Sequence, residues 1–239
     1  MKSMKLLHGL AGFICGICLT AVLLITSVEA VAYWTPGYYE KEYTKYQVLN
    51  DLPAMTMEDL LIVTDEMMDY LRGDREDLHV FTTMGGEYRE FFNAREIAHM
   101  EDVRDLFLGG LFIRRAALFG ILLCLAFLIF TKANLLKILP KAICLGMGGV
   151  FLIAGVLGGI ISTDFNKYFV IFHHIFFDND LWILDPATDM LINIVPEPFF
   201  MDTAFRILGV FGGSVALIFG ICLYLWRKPC KTAFTCGEK

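Results

Sequence analysis

Four long apolar segments divide this sequence, and they limit its fold more than any other feature. They cover about residues 6–26, 106–130, 143–162 and 205–226. An α-helix rises about 1.5 Å per residue, so roughly 20 residues can cross the ~30 Å hydrocarbon core of a bilayer. The mean hydropathy of +0.59 and the hydrophobic fraction of 56% agree with this interpretation. We therefore expect an α-helical membrane protein with four transmembrane helices.

Basic residues predict how these helices are oriented. With four spans, the N-terminus, the loop after the second span and the C-terminal tail lie on one side of the membrane. These parts carry nine basic residues and one acid, which are Lys2, Lys5, Lys132, Lys137, Lys141, Arg227, Lys228, Lys231, Lys239 and Glu238. By the positive-inside rule this side faces the cytoplasm. The formal net charge of −6 then comes from acids on or near the outer side, and no nucleic-acid partner is expected.

This orientation gives the order of regions along the chain. The regions are a cytoplasmic N-terminus and first helix (1–30), an extracytoplasmic domain (31–105), a second helix (106–130), a cytoplasmic loop (131–142), a third helix (143–162), a second outer loop (163–204), a fourth helix (205–226) and a cytoplasmic tail (227–239). A cleaved signal peptide is the alternative for the first region, because Val28-Glu29-Ala30 loosely resembles a cleavage site. We expect a retained span, since its apolar run is long and the aromatic residues Tyr33 and Trp34 follow it.

The extracytoplasmic domain is expected to be mainly helical. Thr56 precedes an apolar stripe and has Asp59 three residues later, a pattern that predicts a capped helix over 56–70. A second helix is expected to run from about Tyr88 into the second span.

Cysteines and glycines are concentrated in the spans. The seven cysteines lie in spans or in the cytoplasmic tail, and they are Cys15, Cys18, Cys124, Cys144, Cys222, Cys230 and Cys236. No disulfide framework can therefore hold the outer segments, which must pack against the helices instead. Cys15-x-x-Cys18 is better interpreted as small core residues than as a redox or metal site. The glycines of the third span, which include a Gly155-xxx-Gly159 face, predict close helix packing, and they are Gly146, Gly148, Gly149, Gly155, Gly158 and Gly159.

Histidines from two distant parts of the sequence are expected at the same depth. His99 lies one turn after Glu96 and one turn before Asp102, on the helix that enters the second span. His173 and His174 follow the third span, in the stretch FHHIFFDNDLWILDP. Interfacial anchoring, a catalytic pair and a zinc site are all open from these residues alone. The zinc site is the least favoured, because HExxH spacing is absent and the only CxxC is inside a span.

Two blocks of the sequence resemble those of the Lit family of bacterial four-span membrane proteins, the lipoprotein intramolecular transacylases. The blocks are REIAHMEDV and FHHIFFDNDLWILDPATDMLINIVPEPFF. The resemblance extends from YWTPGYYEKEYTKY after the first span, through MMDYLRG, to the PEPFF before the last span. It rests on the polar positions of the two blocks and covers nearly the whole chain.

The resemblance implies a reaction and a set of site residues. Proteins of this family move the sn-2 acyl chain of a diacylglyceryl-modified lipoprotein to the amine of its N-terminal cysteine, which leaves a lyso-form lipoprotein. Matched by motif, His99 and His173 are the expected catalytic residues. By motif or position, the expected supporting or substrate-positioning residues are Glu96, Asp102, His174, Asp180, Trp182, Asp185, Arg114 and Arg115.

The same resemblance implies a location and partners. The expected location is the bacterial cell membrane, with both termini in the cytoplasm and the active site at the outer leaflet. The expected partners are the diacylglyceryl lipoprotein and membrane lipids, and no cofactor or metal is expected.

The residue types agree with this chemistry. Transfer from ester to amide is downhill and needs no activated donor, and the sequence has no GxxxxGK[ST] phosphate loop. An α-amine titrates near about 8 and an imidazole near about 6.5, so the two can exchange a proton at physiological pH. A second imidazole can donate a hydrogen bond to the oxyanion of the tetrahedral intermediate. Which histidine is the base and which the donor stays open.

The other polar residues have more than one interpretation. Asp180 and Asp185 could orient imidazole rings, but DPATD is typical of a turn, and a structural role is favoured for both acids. Arg114 and Arg115 lie in the outer half of the second span. We expect them either to contact the substrate or to extend to the headgroups.

Rival functions make different predictions. A separation of more than about 10 Å between His99 and His173, or rings that face lipid, would favour a non-catalytic membrane assembly or binding subunit, because a base must come within hydrogen-bond reach of its proton. A zinc-dependent membrane hydrolase would lose activity with a chelator. A phospholipid-dependent acyltransferase would normally need a nucleophile such as cysteine, and the outer segments contain none. The oligomeric state stays open.

Overall fold

The computed structural model describes residues 2–227, and most of them are helical. In chain order the elements are α1 (Lys2–Ala32), α2 (Tyr38–Lys45), a short 3-10 helix (Val48–Asn50), α3 (Met57–Arg72), β1 (Phe81–Met84), β2 (Glu87–Glu90), α4 (Ala94–Phe130), α5 (Leu135–Ile161), α6 (Phe165–Phe176), α7 (Met190–Ile194) and α8 (Glu197–Arg227). Residues 228–239 of the expected cytoplasmic tail, which include Cys230, Lys231 and Cys236, lie outside the described residues.

Four of these helices are long and apolar enough to cross a membrane, as the sequence predicted. They are α1, α4, α5 and α8, and α1 packs against the other three. Each is longer than its apolar run, because helical hydrogen bonding continues through the polar turns at its ends. The four-helix membrane fold is therefore confirmed.

Small residues bring α1 and α5 together at Gly146, one of the predicted glycines, and not at Gly155-xxx-Gly159. Gly146 on α5 faces Gly16 on α1, and a Cβ at Gly146 would lie 2.8 Å from the carbonyl oxygen of Phe13. Only glycine leaves room for such a backbone approach. The prediction for Gly155-xxx-Gly159 is wrong, because a Cβ at either position would meet nothing within 4 Å. The close contact lies further toward the start of α5.

The capped helix of the outer domain is confirmed. Thr56 has extended backbone angles, and its hydroxyl accepts a hydrogen bond from the backbone N–H of Asp59 at 3.1 Å. The helix then runs to Arg72, two residues beyond the predicted end, and stops at Gly73 with φ 86°. Its apolar stripe is buried in the core of the outer domain.

The helix expected to lead into the second span is confirmed as α4, but its predicted start near Tyr88 is wrong. Helix α4 begins at Ala94, and Tyr88 lies in β2 of a two-stranded antiparallel hairpin. Gly85 and Gly86 form the two-residue turn, with φ angles of 61° and 84°. Positive φ at both turn positions matches the twist of a tight hairpin and is accessible to glycine without strain. The outer domain is therefore mainly helical but contains a β-hairpin.

Helix α4 connects the outer domain directly to the membrane. It has 37 residues, and at about 1.5 Å per residue it is roughly 55 Å long, against ~30 Å of hydrocarbon. Asn93 caps its start with a reciprocal capping box to Glu96. The expected second span at 106–130 is thus only its apolar part. The first dozen residues of α4 precede this apolar run and project past it, and they carry His99.

The region expected as a second outer loop contains two helices and the start of a third. Helix α6 holds both adjacent histidines in its last turn, and α7 follows after an irregular stretch. Helix α8 begins at Glu197, so its first two turns precede the apolar run that was expected from residue 205. There Phe199 stacks on Tyr43 with ring centroids 5.8 Å apart, which ties α8 into the core of the outer domain.

Candidate active site

His99 and His173 lie side by side, although 74 positions separate them in the sequence. His99 lies on the projecting part of α4 and His173 near the end of α6. Their ring centroids are 6.2 Å apart, and each residue is only 6% exposed. Phe177 contacts both rings, at 5.4 Å from His99 and 5.5 Å from His173. The two imidazoles therefore share one largely enclosed space.

Hydrogen bonding and stacking fix the orientation of the His173 ring. Its Nδ1 is 2.7 Å from the carbonyl oxygen of Phe169, an acceptor, so Nδ1 carries the proton. The other nitrogen, Nε2, then has a free lone pair in the neutral ring. Trp182 packs on the ring at 4.7 Å. Burial lowers the pKa of His173, against the opposing effect of the hydrogen bond to Phe169.

His174 has a different environment from its neighbour. It is exposed, and its ring contacts the edge of Trp182 at 5.3 Å. The two histidines differ because successive residues on a helix point about 100° apart, so only one of them can face α4.

His99 has one enclosed nitrogen. Its Nδ1 is buried and has no hydrogen-bond partner among the described residues. An unpaired buried N–H is costlier and rarer than an unpaired lone pair. The neutral ring is therefore expected to hold its proton on Nε2.

Glu96 joins α4 to the segment before α8. It is completely buried, and one carboxylate oxygen accepts a hydrogen bond from the backbone N–H of Asn93 at 2.7 Å. The other oxygen accepts from the backbone N–H of Leu191 at 2.5 Å. Both oxygens are used by the backbone, so Glu96 holds the two segments together and does not contact the imidazoles.

Asp189 and Asp185 stabilise the loop between α6 and α7. Asp189 accepts hydrogen bonds from the side chain of Asn93 and the backbone N–H of Asp185, both at 2.7 Å. Asp185 accepts from the backbone N–H of Ala187 at 2.9 Å, within the DPATD turn. These contacts are those of a turn, and neither acid contacts a histidine ring.

Asp102 and Trp182 each form a hydrogen bond with Asn179, and Asp180 follows Asn179 in the chain. Asp102 accepts a hydrogen bond from the side-chain amide of Asn179 at 2.8 Å. The indole N–H of Trp182 donates to the carbonyl of Asn179 at 3.0 Å. The side chain of Asp180 is exposed, and its backbone carbonyl accepts a hydrogen bond from Arg95 on α4.

The two arginines of the second span lie apart from the histidines. Arg114 forms an ion pair with Glu29 on α1, and both side chains are largely buried. A buried pair of this kind satisfies the charge that the span would otherwise expose. Arg115 is exposed on the surface of α4. Arg114 is therefore occupied within the bundle.

The described residues around the histidine pair include no metal-binding cluster. Within residues 2–227, no group of three histidine, cysteine, aspartate or glutamate residues could hold a metal ion. A cleft of about 560 Å³ lies elsewhere, where the end of α1 meets α2 and α3. The arrangement can therefore exchange protons and donate hydrogen bonds through its imidazoles.

Comparison with known proteins identifies the family. The family model described as lipoprotein intramolecular transacylase Lit matches residues 13–200 of the chain. The chain belongs to the Lit family. Its members are acyltransferases that act on lipoproteins, as the family description states. No curated protein sequence matches it.

Solved structures of a Lit protein share the fold. The membrane-integral Lit from Bacillus cereus, in a variant with one histidine replaced by arginine, has 22% sequence identity and a TM-score of 0.73. That match covers 94% of each chain. A variant with a histidine replaced by alanine gives 22% identity and a TM-score of 0.71 over 94% of this chain and 96% of that one. At this identity the likeness establishes the fold.

Several residues that build the Lit-family site were not singled out from the sequence. Asn93 could have been recognised, because it stands three residues before Glu96 in the spacing of a capping box. Asn179 gave no such signal, since it lies between two aspartates in an irregular stretch. The role of Phe169 lies in its backbone carbonyl, which no side-chain pattern can indicate.

Proposed function

We propose that this chain moves the sn-2 acyl chain of a diacylglyceryl-modified lipoprotein to the α-amine of the N-terminal cysteine, through His99 and His173. The observation that carries this proposal is the enclosed pair of imidazoles, 6.2 Å apart between centroids. A substrate group between two such rings can be within hydrogen-bond reach of both. A non-catalytic subunit would have no need of this arrangement.

His173 is the general base in this proposal. Its Nδ1–H is occupied by the Phe169 carbonyl, so Nε2 is the nitrogen that can take a proton. Burial lowers the pKa of His173, which keeps the ring neutral near pH 7. A neutral imidazole can accept the proton that the cysteine amine loses as it attacks the ester carbonyl. General base catalysis of this kind contributes roughly 10²- to 10⁴-fold in rate.

His99 is the hydrogen-bond donor in this proposal. With Nδ1 enclosed and unpaired, the proton lies on Nε2, which can donate to the oxyanion of the tetrahedral intermediate. The intermediate then collapses, and the bond between the carbonyl carbon and the sn-2 oxygen breaks. The protonated His173 returns its proton to that oxygen, which leaves an amide and a free hydroxyl. No proton is gained or lost overall.

The reaction needs no energy source, because an amide is more stable than an ester. The amine and the ester belong to one substrate, so a site that holds them in register replaces an encounter of two molecules with a high effective molarity. The described cysteines are all in α1, α4, α5 and α8, and none contacts the histidine pair. Direct transfer therefore requires no covalent acyl-enzyme.

The active site is proposed to lie at the outer leaflet. The histidines are on the side of the bundle opposite the loop between α4 and α5. That loop and the N-terminus carry lysines, which favours a cytoplasmic location for them. The projection of α4 would then raise His99 above the hydrocarbon, near the depth of lipid ester groups and headgroups.

The test is a transfer assay with purified protein and a synthetic diacylglyceryl lipopeptide that has a free N-terminal amine. Mass spectrometry should find one acyl chain moved to the amine, with the mass of the lipopeptide unchanged. His99→Ala and His173→Ala should each lose most activity while the protein still inserts and melts normally. His174→Ala is the matched control from the next position and should keep most activity. An active His173→Ala beside an inactive His174→Ala would reverse the assignment.

A second arm addresses the acyl donor. Transfer should proceed without added phospholipid, nucleotide or divalent metal, and a chelator should have no effect. Isotopically labelled phospholipid should contribute no acyl chain to the product amine. If labelled chains appeared there while the lipopeptide kept both glyceryl esters, the intramolecular mechanism would be wrong.

A further inference from the structure

Asn179 makes three hydrogen bonds, and each uses a different part of the residue. Its side-chain amide donates to Asp102 at 2.8 Å. Its side-chain oxygen accepts from the backbone N–H of Leu181 at 3.0 Å, and its backbone carbonyl accepts from the indole N–H of Trp182 at 3.0 Å. The residue is therefore a link between α4 and the irregular stretch after α6.

Each of the two side chains that Asn179 binds, Asp102 and Trp182, lies next to one of the two histidines. Asp102 lies one helical turn after His99 on α4, so anchoring Asp102 fixes the surface of α4 that carries His99. Trp182 packs on the ring of His173 with centroids 4.7 Å apart. Asn179 thus connects the support of one imidazole to the support of the other, without contacting either ring.

We propose that Asn179 is the positioning residue that sets the geometry of His99 relative to His173 during acyl transfer. This inference rests on the proposed function, because it assigns Asn179 a role in that same reaction. The two histidines come from separate helices, and no hydrogen bond joins their rings. A displacement of about 1 Å between catalytic groups can cost roughly 100-fold in rate, so a link of this kind governs turnover.

The chemistry of the site requires an amide at this position. Asn179 must donate to the carboxylate of Asp102 and at the same time accept from Leu181. Aspartate could accept but not donate, and its charge would lie 2.8 Å from that of Asp102. Alanine would lose both side-chain bonds and keep the backbone bond to Trp182.

The test is a reciprocal exchange of the two side chains. Asn179→Asp alone brings two carboxylates together and should lower kcat strongly. Asp102→Asn alone keeps an oxygen acceptor for Asn179 and should lower kcat less. The double variant Asp102→Asn with Asn179→Asp restores one donor and one carboxylate with the direction reversed. Asp105→Asn is the matched control, because Asp105 is an exposed aspartate one turn further along α4.

The unmodified protein, the four variants and Asn179→Ala would be compared by transfer to the lipopeptide amine at a series of pH values. Asn179→Ala should reduce kcat by about tenfold or more with little change in KM, the size expected when a hydrogen bond to a charged group is lost. Its pH profile should shift, since the environment of the histidines changes. The double variant should recover most of the kcat lost in Asn179→Asp, together with the original profile.

Three results would overturn the inference. The first is a fully active Asn179→Ala variant. The second is a double variant that is as impaired as Asn179→Asp although it melts like the unmodified protein. The third is a loss of kcat that follows the melting temperature while the pH profile stays unchanged. The last of these would assign Asn179 to folding alone. Failure of the unmodified protein to transfer an acyl chain would instead reject the proposed function, so the two failures are distinguishable.

Discussion

Replacing Glu96 should destabilise the junction between the outer domain and the last span. Its carboxylate is fully buried and accepts backbone hydrogen bonds from Asn93 at 2.7 Å and Leu191 at 2.5 Å. Glu96→Ala would leave the buried N–H of Leu191 without an acceptor, at about 1–3 kcal/mol, and the part-buried N–H of Asn93 at a smaller cost. The free energy of unfolding should therefore fall by roughly 1–5 kcal/mol. Glu96→Gln keeps one oxygen and should cost about half as much.

The measurement is unfolding of the purified protein in mixed micelles, monitored by circular dichroism. Glu101→Ala is the matched control, because Glu101 is exposed on the same helix. It should change the free energy of unfolding by less than about 0.5 kcal/mol. If Glu96→Ala were as stable as Glu101→Ala, the assignment of Glu96 as a structural tie would be refuted, and a direct role in the reaction would have to be considered.

Two further predictions follow from the proposed base and the proposed orientation. Burial lowers the pKa of His173, so its ring stays neutral at pH values where a free imidazole is already partly protonated. The proposed base is therefore available throughout the neutral range. The rate should then rise from about pH 6 to pH 8, because the substrate amine loses its proton near about 8. The measurement is kcat/KM as a function of pH, and a maximum below about pH 5 would contradict the prediction. In intact cells, cysteines introduced at Asp65 and Lys167 should react with an impermeant thiol reagent, whereas one at Lys137 should not; labelling at Lys137 would overturn the orientation.

The membrane part of the fold could be predicted because one physical requirement dominates it. A span needs about 20 apolar residues, and four such runs are visible without any knowledge of packing. The ends of the helices were harder to predict, because a helix continues into polar residues wherever hydrogen bonding and capping allow. The capping box of Asn93 and Glu96 starts α4 twelve residues before its apolar run. A hydropathy profile detects the apolar run but not this start.

The errors have separate physical causes. The helix start expected at Tyr88, six residues before the actual start of α4 at Ala94, overlooked the Gly85-Gly86 pair, which is a direct signal for a tight hairpin. The Gly155-xxx-Gly159 prediction treated small residues as evidence of a contact, whereas they show only that a contact is sterically permitted. Which glycine is used depends on where helices cross, and this is a tertiary property.

For the site, the sequence indicated which residues carry the chemistry but not how they are held. His99 and His173 were expected from the motifs, and the structure brings their rings to 6.2 Å. Their catalytic roles stay a prediction until variants are measured. The carbonyl of Phe169 and the amide of Asn179 could not be anticipated, because backbone acceptors and irregular segments leave no periodic pattern.

The aromatic surroundings of the two histidines are suited to transfer rather than hydrolysis. An ester held beside a general base can lose its acyl chain to water as readily as to an amine, so the outcome depends on which nucleophile reaches the carbonyl. Both histidines are 6% exposed, and Phe177 and Trp182 pack against His173. Exclusion of water by these rings would leave the tethered amine as the available nucleophile. In the proposed reaction, the aromatic residues of the second block would thus favour transfer to the amine by excluding water.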